Sequence, residues 1–217
     1  MKIIVGCECS GVVRRAFRAR GHDAWSCDLI PATDGGEHIQ RSILEVINDG
    51  WDMGIFHPPC TYLTMTANRW LKDQPPRKSG KLVGAERRIA REDAIKFFLA
   101  LWNAPIEKMA VENPIGCMSR ILGRPHQIIH PYYFGDPVSK ATCLWLRNLP
   151  PLEWTHDATL FLEKTTAKPE VYTSKSGKKY DKWSMIDACK IRNLEERSAF
   201  RSVTFLGFAS AMAEQWG

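Results

Sequence analysis

The chain has 217 residues, enough for one sizeable hydrophobic core, and we expect a single domain over 1–217. Hydrophobic residues make up 44% of the sequence and charged residues 25%, the proportions of an ordinary globular protein. No apolar run reaches the roughly 18 to 20 residues that cross a bilayer, which excludes a membrane-spanning protein.

The cysteines indicate a reducing compartment. There are seven of them, an odd number scattered along the chain, which argues against a disulfide framework. The opening segment also turns polar too soon for a secretory signal, so we expect a cytoplasmic protein. Cys7-x-Cys9 and His57-x-x-Cys60 lack a second half at the spacing of a zinc site, so we expect no metal.

Positive charge is concentrated in three short segments. The net charge of +6 permits a polyanionic partner without requiring one. The segments are RKSGK at 77–81, ERRIAR at 86–91 and KSGKK at 175–179. Such runs of positive charge occur both on surfaces that only face solvent and on surfaces that bind nucleic acid. Because Gly, Ser or Pro lies in or beside them, we expect these segments on mobile loops.

Apolar strands alternate with helical segments along the chain. We expect strands at 2–6, 23–28, 52–56, 108–114, 126–131 and 142–146. We expect helices at 12–21 and 84–102, a short helix or turn at 43–47, and helix from 193 with a break near Gly207. Continuously apolar strands between helices predict a doubly wound, mostly parallel α/β sheet.

The first strand ends in a turn that suits a nucleoside-containing cofactor. The turn reads GCECSG, with Gly6 and Gly11 at its ends, and it enters a helix. Glycines let a ligand approach the backbone, and a helix start favours negative charge. Asp28 closes the second strand, where a carboxylate can hold the hydroxyls of a ribose. Ligands in such sheets bind at the carboxyl ends of the strands, where these residues are expected.

Two further strand ends carry candidate catalytic groups. Cys60 follows His57-Pro58-Pro59 at the end of an apolar run, and Glu112 ends another. Cys60 is either a buried filler or a cleft thiol; backbone N–H groups of the turn would lower the pKa of the thiol. Glu112 is either salt-bridged or a carboxyl in an apolar cleft, where its pKa would be raised.

Together these residues resemble the DNA cytosine-5 methyltransferases. The Gly/Ser turn, the Pro-Pro-Cys turn and the Glu112-Asn113-Pro114 strand end occur in that family's order. The resemblance covers about 1–150 and, more faintly, the last 20 residues. It implies a class I (Rossmann-like) methyltransferase fold with S-adenosyl-L-methionine as cofactor. It also implies that Cys60 adds to C6 of cytosine while Glu112 holds the base and C5 takes the methyl group.

The resemblance assigns roles to further residues. Substrate-binding residues would be Pro59, Asn113, Lys140 and Thr142. Cofactor-binding residues would be Gly6, Cys7, Glu8, Ser10, Gly11, Asp28, Ile43, Thr204 and Phe205.

The sequence departs from the family in two places. After Gly135-Asp136-Pro137 the family has a Gln-x-Arg-x-Arg segment, but here those positions hold Val138, Lys140 and Thr142. In place of a long recognition region there is only a short insertion or lid at 153–191. The substrate is therefore DNA, read with little sequence preference or with a recognition partner or homo-oligomer, or else free deoxycytidylate (dCMP). A cysteine hydrolase using His57, His126 or His130, and a non-catalytic nucleic-acid-binding protein, remain alternatives.

Overall fold

The computed structural model describes residues 1–154, 166–183 and 187–217. Its strands are β1 Lys2–Gly6, β2 Asp23–Asp28, β3 His38–Gln40, β4 Met53–Phe56, β5 Lys108–Pro114, β6 Gln127–Ile129, β7 Thr142–Arg147, β8 Val171–Thr173 and β9 Lys179–Asp181. Its helices are α1 Val12–Ala19, α2 Ile43–Val46, α3 Gly84–Trp102, α4 Met118–Ile121, α5 Ala188–Lys190, α6 Leu194–Ser202 and α7 Leu206–Trp216. Two 3-10 helices cover Met65–Leu71 and Pro131–Phe134.

Within these described ranges seven strands form one sheet in the order β3-β2-β1-β4-β5-β7-β6. The pairs β1–β2, β1–β4, β2–β3 and β4–β5 are parallel, and β7 runs antiparallel between β5 and β6. The chain first adds β2 and β3 on one side of β1, and then places β4 and the later strands on its other side. This reversal of direction opens a crevice between β1 and β4. The predicted doubly wound, mostly parallel α/β fold is confirmed.

Helices cover both faces of the sheet, and alternate strand residues face them. Ile3 and Val5 of β1 pack in one core with Phe208 of α7. Ile4, between them, packs in the other core with Phe98 of α3. Because both faces are buried, the strands read as unbroken apolar runs in the sequence. None of the described helices is both long and apolar enough to cross a membrane.

Four predicted elements, β1, β2, β5 and α3, have the predicted bounds, and the other predicted strands, α1 and α2 differ from theirs by one or two residues at an end. The short strand β3 and the 3-10 helices were not predicted. The expectation that 86–91 lies on a mobile loop is wrong, because this segment belongs to α3 and Arg87 is only 3% exposed. In the insertion 153–191 the structure has a β8–β9 hairpin with 174–178 at its tip. Parts of that insertion, 155–165 and 184–186, lie outside the described residues.

The helix break near the C-terminal end falls before Gly207 rather than at it. Helix α6 ends at Ser202 and α7 begins at Leu206, so Gly207 lies inside α7. The backbone N–H of Gly207 donates to Asp136 Oδ2 at 2.9 Å. A Cβ on Gly207 would lie 1.9 Å from the carbonyl oxygen of Phe134. Glycine is therefore required here because α7 touches the backbone around Asp136.

We expect Gly207→Ala to destabilise the fold. The added methyl group must push α7 away from Phe134, and overpacking of this kind costs about 1–3 kcal/mol. Urea unfolding measures the change in the free energy of unfolding. Ser210→Ala, at an exposed position of the same helix, is the matched control and should change it by less than about 0.5 kcal/mol. Equal stability of the two variants would contradict the close approach.

Candidate active site

The ends of β4 and β5 bring the Pro-Pro-Cys turn beside the Glu-Asn pair. The parallel register pairs Phe56 with Val111, so the next residues of the two segments, His57 and Glu112, are also neighbours. His57 Nδ1 lies 3.1 Å from Glu112 Oε2. One residue further on, Asn113 Nδ2 donates to the carbonyl oxygen of Pro58 at 2.8 Å. The two motifs are thus joined by side chains beyond the end of their ladder.

The segment after Cys60 is also tied to the segment after β5. Cys117 N donates to Leu63 O at 2.8 Å, and Thr64 and Gly116 form an antiparallel bridge. A Cβ on Gly116 would lie 2.2 Å from Leu63 O, so only glycine allows this approach. The turn that carries Cys60 is therefore fixed against β5 on both sides of the cysteine.

Two arginines of α3 hold the backbone that follows Cys60. Buried Arg87 donates from Nη2 to Thr61 O at 3.0 Å, and Arg91 donates from Nε to Tyr62 O at 2.7 Å. Two of the basic residues in the 86–91 cluster therefore support the Cys60 loop. Their role is structural, which the sequence analysis missed because charge runs usually face solvent.

Cys60 is half-buried beside Glu112. Burial, followed by the negative charge of Glu112, raises the pKa of the Cys60 thiol above its ordinary value. The charges of Lys140 and Arg201 and the backbone N–H of Cys60 itself act in the opposite direction but do not prevail. The expectation of a lowered thiol pKa is therefore wrong for the protein without bound ligands, and the thiol is protonated near neutral pH.

Glu112 departs from expectation in the opposite direction. Its side chain is 15% exposed. Burial acts to raise the pKa of the carboxyl, but the hydrogen bond from His57 and the charges of Lys140 and His57 outweigh it. The pKa of Glu112 is consequently lowered, and the carboxyl is ionised near neutral pH. The expected raised pKa is wrong, since the sequence did not show the partners of this carboxyl.

A narrow cleft opens in front of Glu112, and several predicted residues share it. Its lining consists of Glu112, Ile129, Pro131, Lys140, Thr142, Ser202, Thr204, Phe205 and Phe208. Lys140 Nζ donates to Arg201 O at 3.3 Å and lies 5.8 Å from the ring centroid of Phe205. Thr204 and Phe205, predicted at the cofactor, thus lie on the same cleft as the predicted base-holding residues.

The other predicted substrate residues differ in exposure. Pro59 is exposed beside Cys60. Asn113 is 1% exposed, and its amide nitrogen is bonded to Pro58, so it braces the turn. Thr142 is 4% exposed, and its hydroxyl donates to Lys140 O at 3.3 Å. Lys140 is therefore the side chain of this set that brings a charge to the cleft.

The turn after β1 has a strained backbone next to Asp28. Cys7 has φ 60°, a left-handed conformation that rarely suits a side chain, and its N–H donates to Cys27 O at 2.7 Å. Burial and then the charge of Asp28 raise the pKa of the Cys7 thiol to about 12. Asp28 therefore lies close to the turn, as predicted. Such strain is found most often at ligand sites.

Glu8 and Ser10 have a different role from the predicted one. Glu8 is 4% exposed, and its Oε1 and Oε2 accept the backbone N–H groups of Val13 at 2.7 Å and Arg14 at 3.3 Å. Ser10 Oγ lies 3.4 Å from Glu8 Oε1. Glu8 thus caps α1 and neutralises its positive end, so this helix start offers no free site for an anion.

Ile43 and Gly6 are also packing residues. Ile43 is 3% exposed in the core, which contradicts the idea that it covers an adenine ring. A Cβ on Gly6 would lie 2.8 Å from Ile43 Cγ1 and 2.6 Å from Phe56 Cδ1, so this glycine makes room for the core. Sequence reasoning missed Leu29 and Ile30, which follow Asp28 and are 72% and 53% exposed. The sequence signal for an exposed apolar surface here was a pair of large apolar residues directly after Asp28, the acid that ends β2.

The β1–β2 edge fits a nucleoside. The Asp28 carboxylate lies at the end of β2, where it can accept hydrogen bonds from two ribose hydroxyls. Leu29 and Ile30 provide exposed apolar surface beside it for a flat ring. Gly11 has φ 65°, and a Cβ there would lie 2.5 Å from Arg14 Nη2 and 2.6 Å from Asp34 Oδ2, so glycine is required at the end of the turn.

Comparisons with known proteins give little beyond this geometry. No protein-family model matches the chain, and no curated protein matches it. Among solved structures, the chain is similar to a candidate DNA modification methyltransferase encoded within an E. coli prophage, with 14% identity and a TM-score of 0.40. The match covers 66% of this chain and 45% of that one, so the chain spans less than half of its length. Similarity at this level does not establish an activity.

We expect the charge on Glu112 to control the reactivity of Cys60. Glu112→Gln removes a negative charge that raises the pKa of the thiol, so Cys60 should be alkylated several-fold faster by iodoacetamide at pH 8. Lys140→Gln should have the opposite effect, because it removes a charge that favours the thiolate. Peptide-resolved mass spectrometry gives the rates, with exposed Cys189 as the internal control. Equal Cys60 rates in the three proteins would contradict the coupling.

Proposed function

We propose that the protein is a methyltransferase that adds a methyl group to C5 of cytosine in DNA, using S-adenosyl-L-methionine. The observation that carries the proposal is the joined pair of strand ends, which sets the Cys60 thiol near the Glu112 carboxyl, with Glu112 lining a cleft. A cysteine hydrolase needs a base on the thiol. His57, the nearest of the candidate histidines in sequence, is instead bonded to Glu112 through Nδ1.

Cys60 supplies the nucleophile in this proposal. Its sulfur forms a bond to C6 of the ring, and the electron pair of the C5–C6 double bond makes C5 nucleophilic. After C5 has taken the methyl group, it loses its proton to water, the electrons of the C5–H bond re-form the double bond, and the sulfur–C6 bond breaks with its electron pair on sulfur. Cys60 is thereby regenerated, and the product differs from the substrate by one methyl group.

Glu112 and Lys140 hold the ring and balance its charge. Oε2 of Glu112 is bonded to His57, which leaves the other oxygen for the exocyclic amine and N3 of cytosine. Negative charge develops on the ring as sulfur adds, and a proton taken up by Glu112 and shared with N3 offsets it. Lys140, on the same cleft, supplies the positive charge that is otherwise expected from an arginine in this position.

The charges of the site make the thiolate conditional on the substrate. The negative charge of Glu112 raises the pKa of Cys60, while Lys140 and Arg201 lower it. A nucleobase that shares a proton with Glu112 removes the negative charge that raises the pKa of Cys60. The positive charges of Lys140 and Arg201, which lower that pKa, remain. The nucleophile is therefore activated when a ring is in place, and it is protected by its proton in the absence of substrate.

The cofactor belongs at the β1–β2 edge. Asp28 would hold its ribose, and Leu29 and Ile30 would cover its adenine ring, with Cys7 and Gly11 forming the floor. When bound, S-adenosyl-L-methionine supplies an electrophilic methyl group on a sulfonium. Thr204 and Phe205 close the cleft from the C-terminal segment and exclude water from the reacting atoms.

The charge distribution favours DNA over a free nucleotide. Residues 61–83, directly after Cys60, contain five basic residues and one acidic residue, a net charge of +4. Residues 166–183, with the β8–β9 hairpin, contain five basic and two acidic residues, a net charge of +3. A monophosphate needs only one or two cations, whereas two extended basic segments suit a polynucleotide backbone. Free deoxycytidylate is the second substrate to test, because the insertion is short for groove recognition.

A labelled-methyl assay tests the function. The protein is incubated with labelled S-adenosyl-L-methionine and, in parallel, duplex DNA, single-stranded DNA and dCMP. We expect label at C5 of cytosine in DNA, and no label with Cys60→Ala, which should retain the thermal shift that the cofactor gives. DNA containing 5-fluorocytosine should trap Cys60 covalently, since fluorine cannot leave C5 as a proton would.

Several outcomes of that assay would contradict the proposal. Label in dCMP alone would assign the nucleotide as substrate. Normal turnover by Cys60→Ala would exclude covalent catalysis. No thermal shift by the cofactor in any variant would favour a non-catalytic nucleic-acid-binding protein.

Asp28 provides a separate test of the cofactor site. Asp28→Ala should weaken binding of S-adenosyl-L-methionine by about tenfold or more, because hydrogen bonds from the ribose to a charged acceptor are lost. Calorimetry measures the dissociation constant. Glu107→Ala, at an exposed position just before β5 and outside the site, is the control and should leave affinity unchanged. Equal affinities of Asp28→Ala and the control would place the cofactor elsewhere.

A further inference from the structure

His57 lies at the junction between β4 and the Cys60 turn. Its backbone N–H donates to Gly6 O at 3.0 Å, which continues the β1–β4 pairing by one residue. Its side chain is 8% exposed and lies across β4 and β5, with Nδ1 3.1 Å from Glu112 Oε2. Beyond occupying Oε2 of Glu112, this imidazole has no role in the proposed chemistry.

The ring of His57 is a costly choice for a purely structural position. Within the described residues, Nε2 is buried and has no hydrogen-bond partner. A buried polar atom without a partner costs about 1–3 kcal/mol, and an apolar side chain of similar size would avoid that cost. The contact between His57 Nδ1 and Glu112 Oε2 therefore indicates a functional role for the ring.

We propose that His57 is a positioning residue that orients Glu112 and holds its carboxylate as an anion until a base enters the cleft. The inference rests on the proposed function, because Glu112 is taken to contact the base. By binding Oε2, His57 fixes the plane of the carboxylate and directs Oε1 to the cleft. The same contact keeps Glu112 an acceptor for the exocyclic amine, so the carboxyl takes up its proton only with the ring present.

The groups around Glu112 determine the direction of the effect. His57 faces it from the end of β4, Cys60 from the following turn, Lys140 from the segment before β7, and Cys143 from β7 itself. His57 and Lys140 lower the pKa of Glu112, and burial raises it. Without His57 only Lys140 opposes burial, so the pKa of Glu112 must rise.

Direct titration of Glu112 tests the proposal without any activity measurement. Glutamate side-chain carboxyls labelled with 13C are followed by NMR in the protein without substrate, and Glu112 is assigned from the signal lost in Glu112→Gln. His57→Leu removes the donor at similar volume, and His57→Asn keeps an N–H donor near the position of Nδ1. We expect the pKa of Glu112 to be highest in His57→Leu, intermediate in His57→Asn and lowest in the wild type.

Kinetics provide the second readout. Misplacing a reacting group by about 1 Å costs on the order of 100-fold in rate, so kcat of His57→Leu should fall by about that factor. His57→Asn should recover part of the loss, and the acid limb of the pH profile should move to higher pH in His57→Leu. His22→Leu, at the opposite edge of the sheet, is the matched control and should change neither the titration nor the profile.

The outcomes separate this inference from the proposed function. An unchanged titration of Glu112 in His57→Leu, with the fold intact by thermal unfolding, overturns the inference. If His57→Leu does not fold, His57→Asn decides; an unchanged titration there overturns the inference as well. A shifted titration together with no methyl transfer to any cytosine would retain the His57–Glu112 coupling and reject the proposed function.

Discussion

The parallel pairing of β4 with β5, continued by side chains past the end of their backbone ladder, is the constraint on which the site depends. Backbone hydrogen bonds hold the strands to Phe56 and Val111, and from there side chains continue the register. His57 meets Glu112, and Asn113 meets the carbonyl oxygen of Pro58. Because these contacts follow one another residue by residue, the cysteine after them cannot move independently of the carboxyl. A thiol and a carboxyl 52 residues apart in the sequence thereby lie near each other.

The electrostatics of the pair follow from that arrangement. Glu112 is largely buried yet ionised, because His57 and Lys140 compensate for burial. Burial, and then the charge of Glu112, keeps the nearby thiol protonated. The protonation states of both groups in the resting protein are thus the reverse of those expected from isolated strand ends. A ligand that shares a proton with Glu112 would remove the charge of this carboxylate and so change the pKa of Cys60.

The sequence predicted the fold well because its main signals are local. Continuous apolar runs gave the strands, and the spacing of Phe98 and Leu101 gave the buried face of α3. The proximity of Cys60 and Glu112 followed from the rule that parallel strands end at one edge. The His57–Glu112 contact did not follow, because it depends on register, which no local pattern encodes. Glu8 and Arg87 were misread for a related reason, since charged residues bound to distant backbone groups look in sequence like exposed ones.

The cleft has walls from widely separated parts of the chain. Glu112 lies near the middle of the chain, whereas Thr204 and Phe205 come from the last 14 residues of the sequence. Lys140 reaches across to the carbonyl oxygen of Arg201 and joins the two parts. During synthesis on the ribosome, a chain that already contains Cys60 and Glu112 therefore still lacks the wall of the cleft that Thr204 and Phe205 form. If the cleft is the reaction site that we propose, a product terminated before Thr204 would be inactive although it contains the nucleophile.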